Sequence, residues 1–258
     1  MSIHRGKKES ITSGDRKIIY CEGNQDSIDI TFLKNMLGAK AISFEFKPLG
    51  SCETLLNYAG TGLIENGFCL IDRDFRTEGE VRRLEGKYPV KFLLAHELEY
   101  YFLDINYLSR LSYIKSDIDI NQKITEIKAT KKIRFLADFL QFKINNHISR
   151  FPRIKKLEHA ELAAESLLPE VLLSKLNDNY ETVKQKIEEI KSPYLNTWIV
   201  EYEQLDIKLL PSKELFKELK NKIFNQPPSD SDIAKDLASL MLKDKHIPDD
   251  LKIIFELI

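Results

Sequence analysis

The sequence predicts an α/β fold in which a parallel sheet with flanking helices is followed by a mainly α-helical extension. Three observations predict it. Short β-rich runs alternate with helical periods over residues 17–110, the pattern of a parallel sheet with right-handed crossovers. The run Gly67-Phe68-Cys69-Leu70-Ile71 is continuously apolar, as in a strand covered on both faces. Beyond Ile118 the chain turns to long patterns rich in Lys, Glu, Leu and Ile, with no glycine after Gly86, which favours helix. The expected organisation is a polar arm over 1–16, an α/β core over 17–110 and a helical extension over 111–258 packed on that core.

The elements follow in order. Met1 to Asp15 offers no hydrophobic period. Lys17-Ile18-Ile19-Tyr20-Cys21 is a strand, and Glu22-Gly23 ends it with a carboxylate and a sharp turn. Asp26 or Ser27 caps a helix in which Ile28, Phe32, Leu33, Met36 and Leu37 recur before Gly38 closes it. Ala41 to Lys47 is a second strand and Cys52 to Tyr58 begins a second helix. Gly67 to Ile71 is the central strand, running straight into Asp72-Arg73-Asp74. Arg82 to Glu85 marks a short helix, and Val90 to Leu94 a fourth strand that leads to His96-Glu97-Leu98-Glu99. Helices are expected over Asn121–Ile148, Lys155–Leu168, Asn179–Ile190, Ser212–Phe224 and Asp230–Leu242. Breaks fall at Pro152, Pro169, Pro193, Pro211, Pro227, Pro228 and Pro248.

Composition narrows the function classes. With 258 residues, 43% hydrophobic and 31% charged, and a net charge of -1, the chain reads as an ordinary globular protein, so any nucleic-acid surface must be local. No apolar run approaches a bilayer span and the N-terminal residues lack a signal-peptide core, so a cytoplasmic location is expected. Cys21, Cys52 and Cys69 are too unevenly spaced for a zinc site and are expected to be buried free thiols.

The chemistry lies in the acidic strand ends. In open α/β sheets ligands bind beyond the carboxyl ends of strands, where Glu22, Asp72 and Asp74, and Glu97 or Glu99, would converge if their strands are neighbours. The strand period of two lets Asp72 and Asp74 point the same way and share a cation. Clustered carboxylates raise one another's pKa, which bound Mg²⁺ or Mn²⁺ would relieve. Two such ions suit phosphodiester cleavage. Glu22 is alternatively a general acid or base.

These segments resemble a known family. Tyr20-Cys21-Glu22-Gly23-Asn24-Gln25-Asp26 is similar to the first motif of Toprim domains, and Leu70-Ile71-Asp72-Arg73-Asp74 to their Asp-x-Asp motif. Leu94-Ala95-His96-Glu97-Leu98-Glu99-Tyr100-Tyr101 resembles the next acidic segment of the OLD-type Toprim nucleases and of the stand-alone Toprim effectors of PARIS phage-defence systems. The likeness covers the first 105 residues. Leu209-Leu210-Pro211-Ser212-Lys213-Glu214-Leu215-Phe216 resembles a later segment in which relatives carry glycine, lysine and acid before a helix, with Ser212 here in place of the glycine. The resemblance implies a Toprim core and metal binding and catalysis by Glu22, Asp72 and Asp74. It further implies Asp26 as a ligand of a second ion, Glu97 or Glu99 completing the shell, and Lys213 stabilising charge on phosphate.

The resemblance also implies a toxic anti-phage effector that cleaves RNA, transfer RNA first, and works as a homodimer. The wider relatives favour DNA, as nuclease or nickase. The chain has no Gly-x-x-x-x-Gly-Lys-Ser/Thr motif, so the ATPase found within OLD chains is expected as a separate partner protein. From the residues themselves, Lys128, Lys131, Lys132 and Arg134 on one predicted helix, with Arg150 and Arg153 after it, form a local basic face for a phosphate backbone or an ordinary solvated one. Phe139, Phe142 and Phe151 interleave with these bases but fit a core.

Other readings compete. A receiver-like phosphorylation domain gathers acids at strand ends but needs an acidic pair after the first strand, where only Glu22 stands. A dinucleotide site lacks its glycine-rich turn. A silent scaffold would keep the fold without the chemistry. His96, Tyr100 and Tyr101 read as residues packed at a strand end rather than as nucleophiles or ligands.

Overall fold

The structure is a computed structural model and describes residues 16–23, 27–147, 168–177, 187–188 and 190–256. In chain order its elements are β1 (Lys17–Cys21), α1 (Ile28–Leu37), β2 (Phe44–Pro48), α2 (Cys52–Ala59), β3 (Gly67–Ile71), α3 (Glu78–Glu85) and β4 (Val90–Phe92). After these come α4 (Ile105–Leu108), α5 (Ile120–His147), α6 (Leu168–Asn177), α7 (Leu195–Glu203), α8 (Ser212–Ile223), α9 (Asp230–Lys243) and α10 (Asp249–Ile254). They fall into two compact units. One comprises the chain to Leu94 with Asn106–Ser112 and Gln226–Ile258, and the other Ala95–Ile105 with Tyr113–Asn225.

The first unit is an α/β sheet whose strands are all parallel, in the order β2-β1-β3-β4. After β2 the chain crosses back over β1, so the strand order reverses between β1 and β3. β3 is buried along nearly its whole length because both its faces are covered. Cys69 and Ile71 pack with Leu55, Ala59, Val81, Val90 and Phe92. On the opposite face Phe68 meets Phe255, whose ring also meets Phe44 edge to face and Phe46 at a tilt. Helix α9 packs on α1, returning the last part of the chain to the sheet. Gly67 starts β3 where a Cβ would press into the Ile18 carbonyl of β1, so only glycine allows that approach.

Local signals explain the helix ends. Ser27 and Ser51 accept N–H bonds from Ile30 and Thr54 at the starts of α1 and α2, and Thr77 and Glu80 form a capping box at α3. The left-handed Gly38 closes α1. The second strand is shorter than expected: residues 38–43 form 3₁₀ turns and β2 begins only at Phe44. The fourth strand stops at Phe92, two residues early.

The second unit is helical. Long helix α5 packs on α7 and α8, and α8 on the 3₁₀ segment Leu98–Leu103. Phe102 meets Phe216, and Phe139 meets Tyr202, so Phe139, Tyr101 and Phe102 are core residues as expected. Two of the prolines expected as breaks lie in helical turns. Pro169 lies in the first turn of α6, where a missing N–H costs nothing. Pro193 falls in a π-helical turn, Ile190–Tyr194, that leads directly into the unexpected α7. The polar arm and the helix expected over Lys155–Leu168 lie almost wholly outside the described residues, as does most of that expected over Asn179–Ile190. No helix among the described residues is long and apolar enough to cross a membrane.

Candidate functional site

Parallel register brings the ends of β1 and β3 to one edge of the sheet. Cys21 pairs with Leu70, so Glu22 and Asp72 each follow the close of adjacent strands at the point of reversal, where ligands bind in such sheets. Two left-handed glycines shape the rim: Gly23 donates its N–H to the Gly50 carbonyl at 2.8 Å, with φ near 89° and 90°. Glycine alone takes that backbone without strain.

The Glu22 carboxylate reaches back into the sheet edge. Its Oε1 accepts the Asp72 N–H at 3.3 Å and its Oε2 the Cys52 N–H at 3.1 Å. Burial, and then the charge of Asp74, push its pKa up to about 7, while the two N–H donors and Arg76 pull the other way. A carboxyl in that state is poised between its two forms at neutral pH.

Asp72 and Asp74 do not sit as alternating strand residues. β3 ends at Ile71, and Asp74 takes a left-handed φ of 49° within a turn, so the expected strand alternation fails. Asp tolerates that region better than most residues, and such backbone recurs at functional sites. The turn is held by an arginine that sequence reasoning overlooked. Arg76 Nη1 donates to the carbonyls of Asp72 and Arg73 at 3.4 and 3.1 Å and to Asp74 Oδ2 at 2.6 Å. Its Nη2 reaches Cys52 Sγ at 3.1 Å. The guanidinium also lies over the Phe92 ring, 5.4 Å from its centroid, and the side chain is 13% exposed. Arg73 is buried too, bonded to the Leu94 carbonyl and paired with Glu78 at 2.7 Å. The signal for Arg76 was its place just before the Thr77–Glu80 capping box, which fixes where the turn must end.

The donors suit a hard cation. Glu22, Asp72 and Asp74 are carboxylates, and Mg²⁺-type ions are held by one or two such groups completed by water and substrate phosphate. Burial first, and then the charge of Asp74, raise the pKa of Glu22, and a cation bound there would pull it back down. Among the described residues no three His, Cys, Asp or Glu side chains are gathered around one point as a metal cage. Asp26 lies outside the described residues. The cysteines are free, with Cys21 and Cys69 buried and Cys52 only half-buried. Burial pushes the Cys52 thiol up to about 12.

Glu97, Glu99 and Lys213 belong to the second unit. There Glu97 caps α8: its Oε2 accepts the Lys213 N–H at 2.7 Å and the Ser212 Oγ at 3.5 Å. Ser212, fully buried, also donates to the Glu97 carbonyl at 3.3 Å, a contact that glycine could not make. Burial opposes charge on Glu97, but His96 and the Lys213 N–H hold its pKa below the usual carboxylate range. Glu99 is buried, with Lys213 Nζ 3.7 Å from its Oε1. The Lys213 side chain is 72% exposed.

The expected basic face is largely matched by acids of its own unit. Lys131 pairs with Glu214 and Glu218 at 3.0 and 2.8 Å, Lys132 lies 3.8 Å from Glu203, and Arg134 grips Asp138 through two contacts of 3.2 Å. Lys128 is half-buried on α5. Burial pushes Asp138 up to about 6 against the pull of Arg134. Arg150, Arg153 and Phe151 lie outside the described residues.

Comparison with known proteins finds no matching family model, curated protein or solved structure.

Proposed function

We propose that this chain is a Toprim-type nuclease that hydrolyses nucleic-acid phosphodiesters with a hard divalent cation at the crevice of Glu22, Asp72 and Asp74. One observation carries the reading. Glu22 and Asp72 close adjacent parallel strands at the reversal of strand order and are joined by a hydrogen bond of 3.3 Å.

In this reading Glu22 and Asp72 hold the cation and Asp74 contributes from the turn. When bound, Mg²⁺ or Mn²⁺ acidifies water and offsets charge on the phosphate oxygens. Glu22 keeps its backbone donors while offering the remaining lone pairs of its two oxygens. In the overall hydrolysis a water oxygen bonds to phosphorus, the ester P–O bond breaks, and the water's proton passes to solvent or to Glu22. Where Glu22 does not hold the cation, it is the alternative acceptor for that proton.

RNA, with transfer RNA first, is the proposed substrate, and an anti-phage effector acting as a homodimer beside a separate ATPase is the proposed setting. Both rest on the likeness to Toprim effectors. The test is cleavage of labelled transfer RNA, other RNA, and single- and double-stranded DNA by purified protein with Mg²⁺ or Mn²⁺, beside Glu22→Ala and Asp72→Ala. Metal-dependent cutting of one class, lost in both variants, supports the reading. Equal cutting by the variants would move the activity elsewhere, and no cutting of any substrate would favour a silent scaffold.

A further inference from the structure

We propose that a cavity where the ends of α1 and α9 meet is a binding site for a small phosphate monoester that carries an apolar body. The cavity measures about 480 Å³ and lies within the first unit. That is the size small ligands occupy. None of its lining residues belongs to the acidic crevice, so the proposal stands apart from the nuclease reading.

The walls match both parts of such a ligand. Leu37, Leu242 and Ile247 give an apolar lining, and Leu242 remains 42% exposed, so apolar surface is left for a ligand to cover. Lys40, Lys245 and Lys252 line the same cavity, and no described acidic side chain does. Lys40 and Lys245 pair with no acid among the described residues. Lys252 is set against Asp249 at 2.7 Å. Two positive charges therefore remain, the complement of a phosphate monoester near neutral pH.

The fold alone does not call for these lysines. Lys245 takes a left-handed φ of 56° just past α9. There its N–H donates to the Leu242 carbonyl at 3.0 Å, and the His246 N–H to the Met241 carbonyl at 2.9 Å. Glycine is the usual residue in that closing turn, and a side chain is costlier there. Nor do the helix ends need them, since Lys34 and Lys243 already stand in the last turns of α1 and α9, where a cation offsets the carbonyl ends. Lys40 and Lys245 lie beyond those turns and line the cavity instead.

Isothermal titration of octyl phosphate into the intact protein tests this, beside octanol and inorganic phosphate. The expected result is one saturable equivalent of octyl phosphate, with octanol and phosphate each at least about tenfold weaker because each lacks one part of the ligand. Lys245→Gly removes the ammonium and relieves the left-handed backbone, so it should weaken octyl phosphate about tenfold with no fall in melting temperature. Lys40→Ala, on an exposed side chain, should weaken it likewise. Octyl phosphate bound equally by both variants, or octanol bound as tightly as octyl phosphate, would overturn the proposal, as would the absence of saturable binding. Binding to phosphatidic acid vesicles without binding of free octyl phosphate would also overturn it, and would assign the lysines to a bilayer surface.

Discussion

The Asp72 N–H donates to Glu22 Oε1 at 3.3 Å, so the two acidic strand ends are coupled through one bond and not merely near each other. Movement of the β3 end therefore changes the orientation of the Glu22 carboxylate. That coupling makes Glu22 a reporter of the whole crevice.

Its titration gives the first prediction. Glu22 has its folded pKa raised from 4.5 to about 7, so the folded protein binds more protons than the unfolded chain between those values. Stability is therefore lost as pH rises through that window, by about 3 kcal/mol in total. Glu22→Gln removes the charge but aims an amide N–H at one of two backbone donors, so its net gain at pH 8 is smaller, about 1–2 kcal/mol. Urea unfolding at pH 5 and pH 8 should show wild type and variant converging at the lower pH. A difference independent of pH would contradict the assignment.

Glu97 should behave with the opposite sign. Its pKa is held low by His96 and the Lys213 N–H although burial opposes it, so its contribution is present above about 4.5 and is lost as pH falls. Glu97→Ala, which uncaps α8, should cost about 1–2 kcal/mol at pH 7. Hydrogen exchange of the Lys213 amide reads this directly, and unchanged protection would count against the cap.

Gly67→Ala places a methyl group against the Ile18 carbonyl. The β1–β3 pairing must open to admit it, at a cost of about 2–3 kcal/mol. Thermal melting checks this, and a shift under a degree would mean the strands already lie farther apart.

Lys131 is engaged by Glu214 and Glu218. Lys131→Ala should therefore lower stability by about 0.5–1 kcal/mol and leave nucleic-acid affinity within about twofold, with little change in its salt dependence. Filter binding across a salt series checks this, and a salt slope reduced by about one would restore Lys131 as a phosphate contact.

Much of the sheet was legible because its signals are local. The β3 run, its glycine start and its Asp-x-Asp end are all printed within eight residues, and β1 with Glu22 is equally compact. The turn at Asp74 was not legible, since strand period assumes a strand that in fact stops at Ile71. Nor was Arg76: its value comes from Cys52 and Phe92, distant in sequence and silent about direction. The apolar stripe of α9 marked a helix but could not say that its partner is α1, some two hundred residues earlier. Glu97 had an acid's identity without its address, and the Lys213 N–H supplied it.

Isothermal titration of Mn²⁺ into wild type, Glu22→Gln and Asp72→Asn bears most directly on the central claim that these two strand ends form a cation site. The account expects each substitution to weaken the same binding event at least about tenfold, roughly one lost charged ligand's share. Wild-type affinity retained in both variants would contradict it.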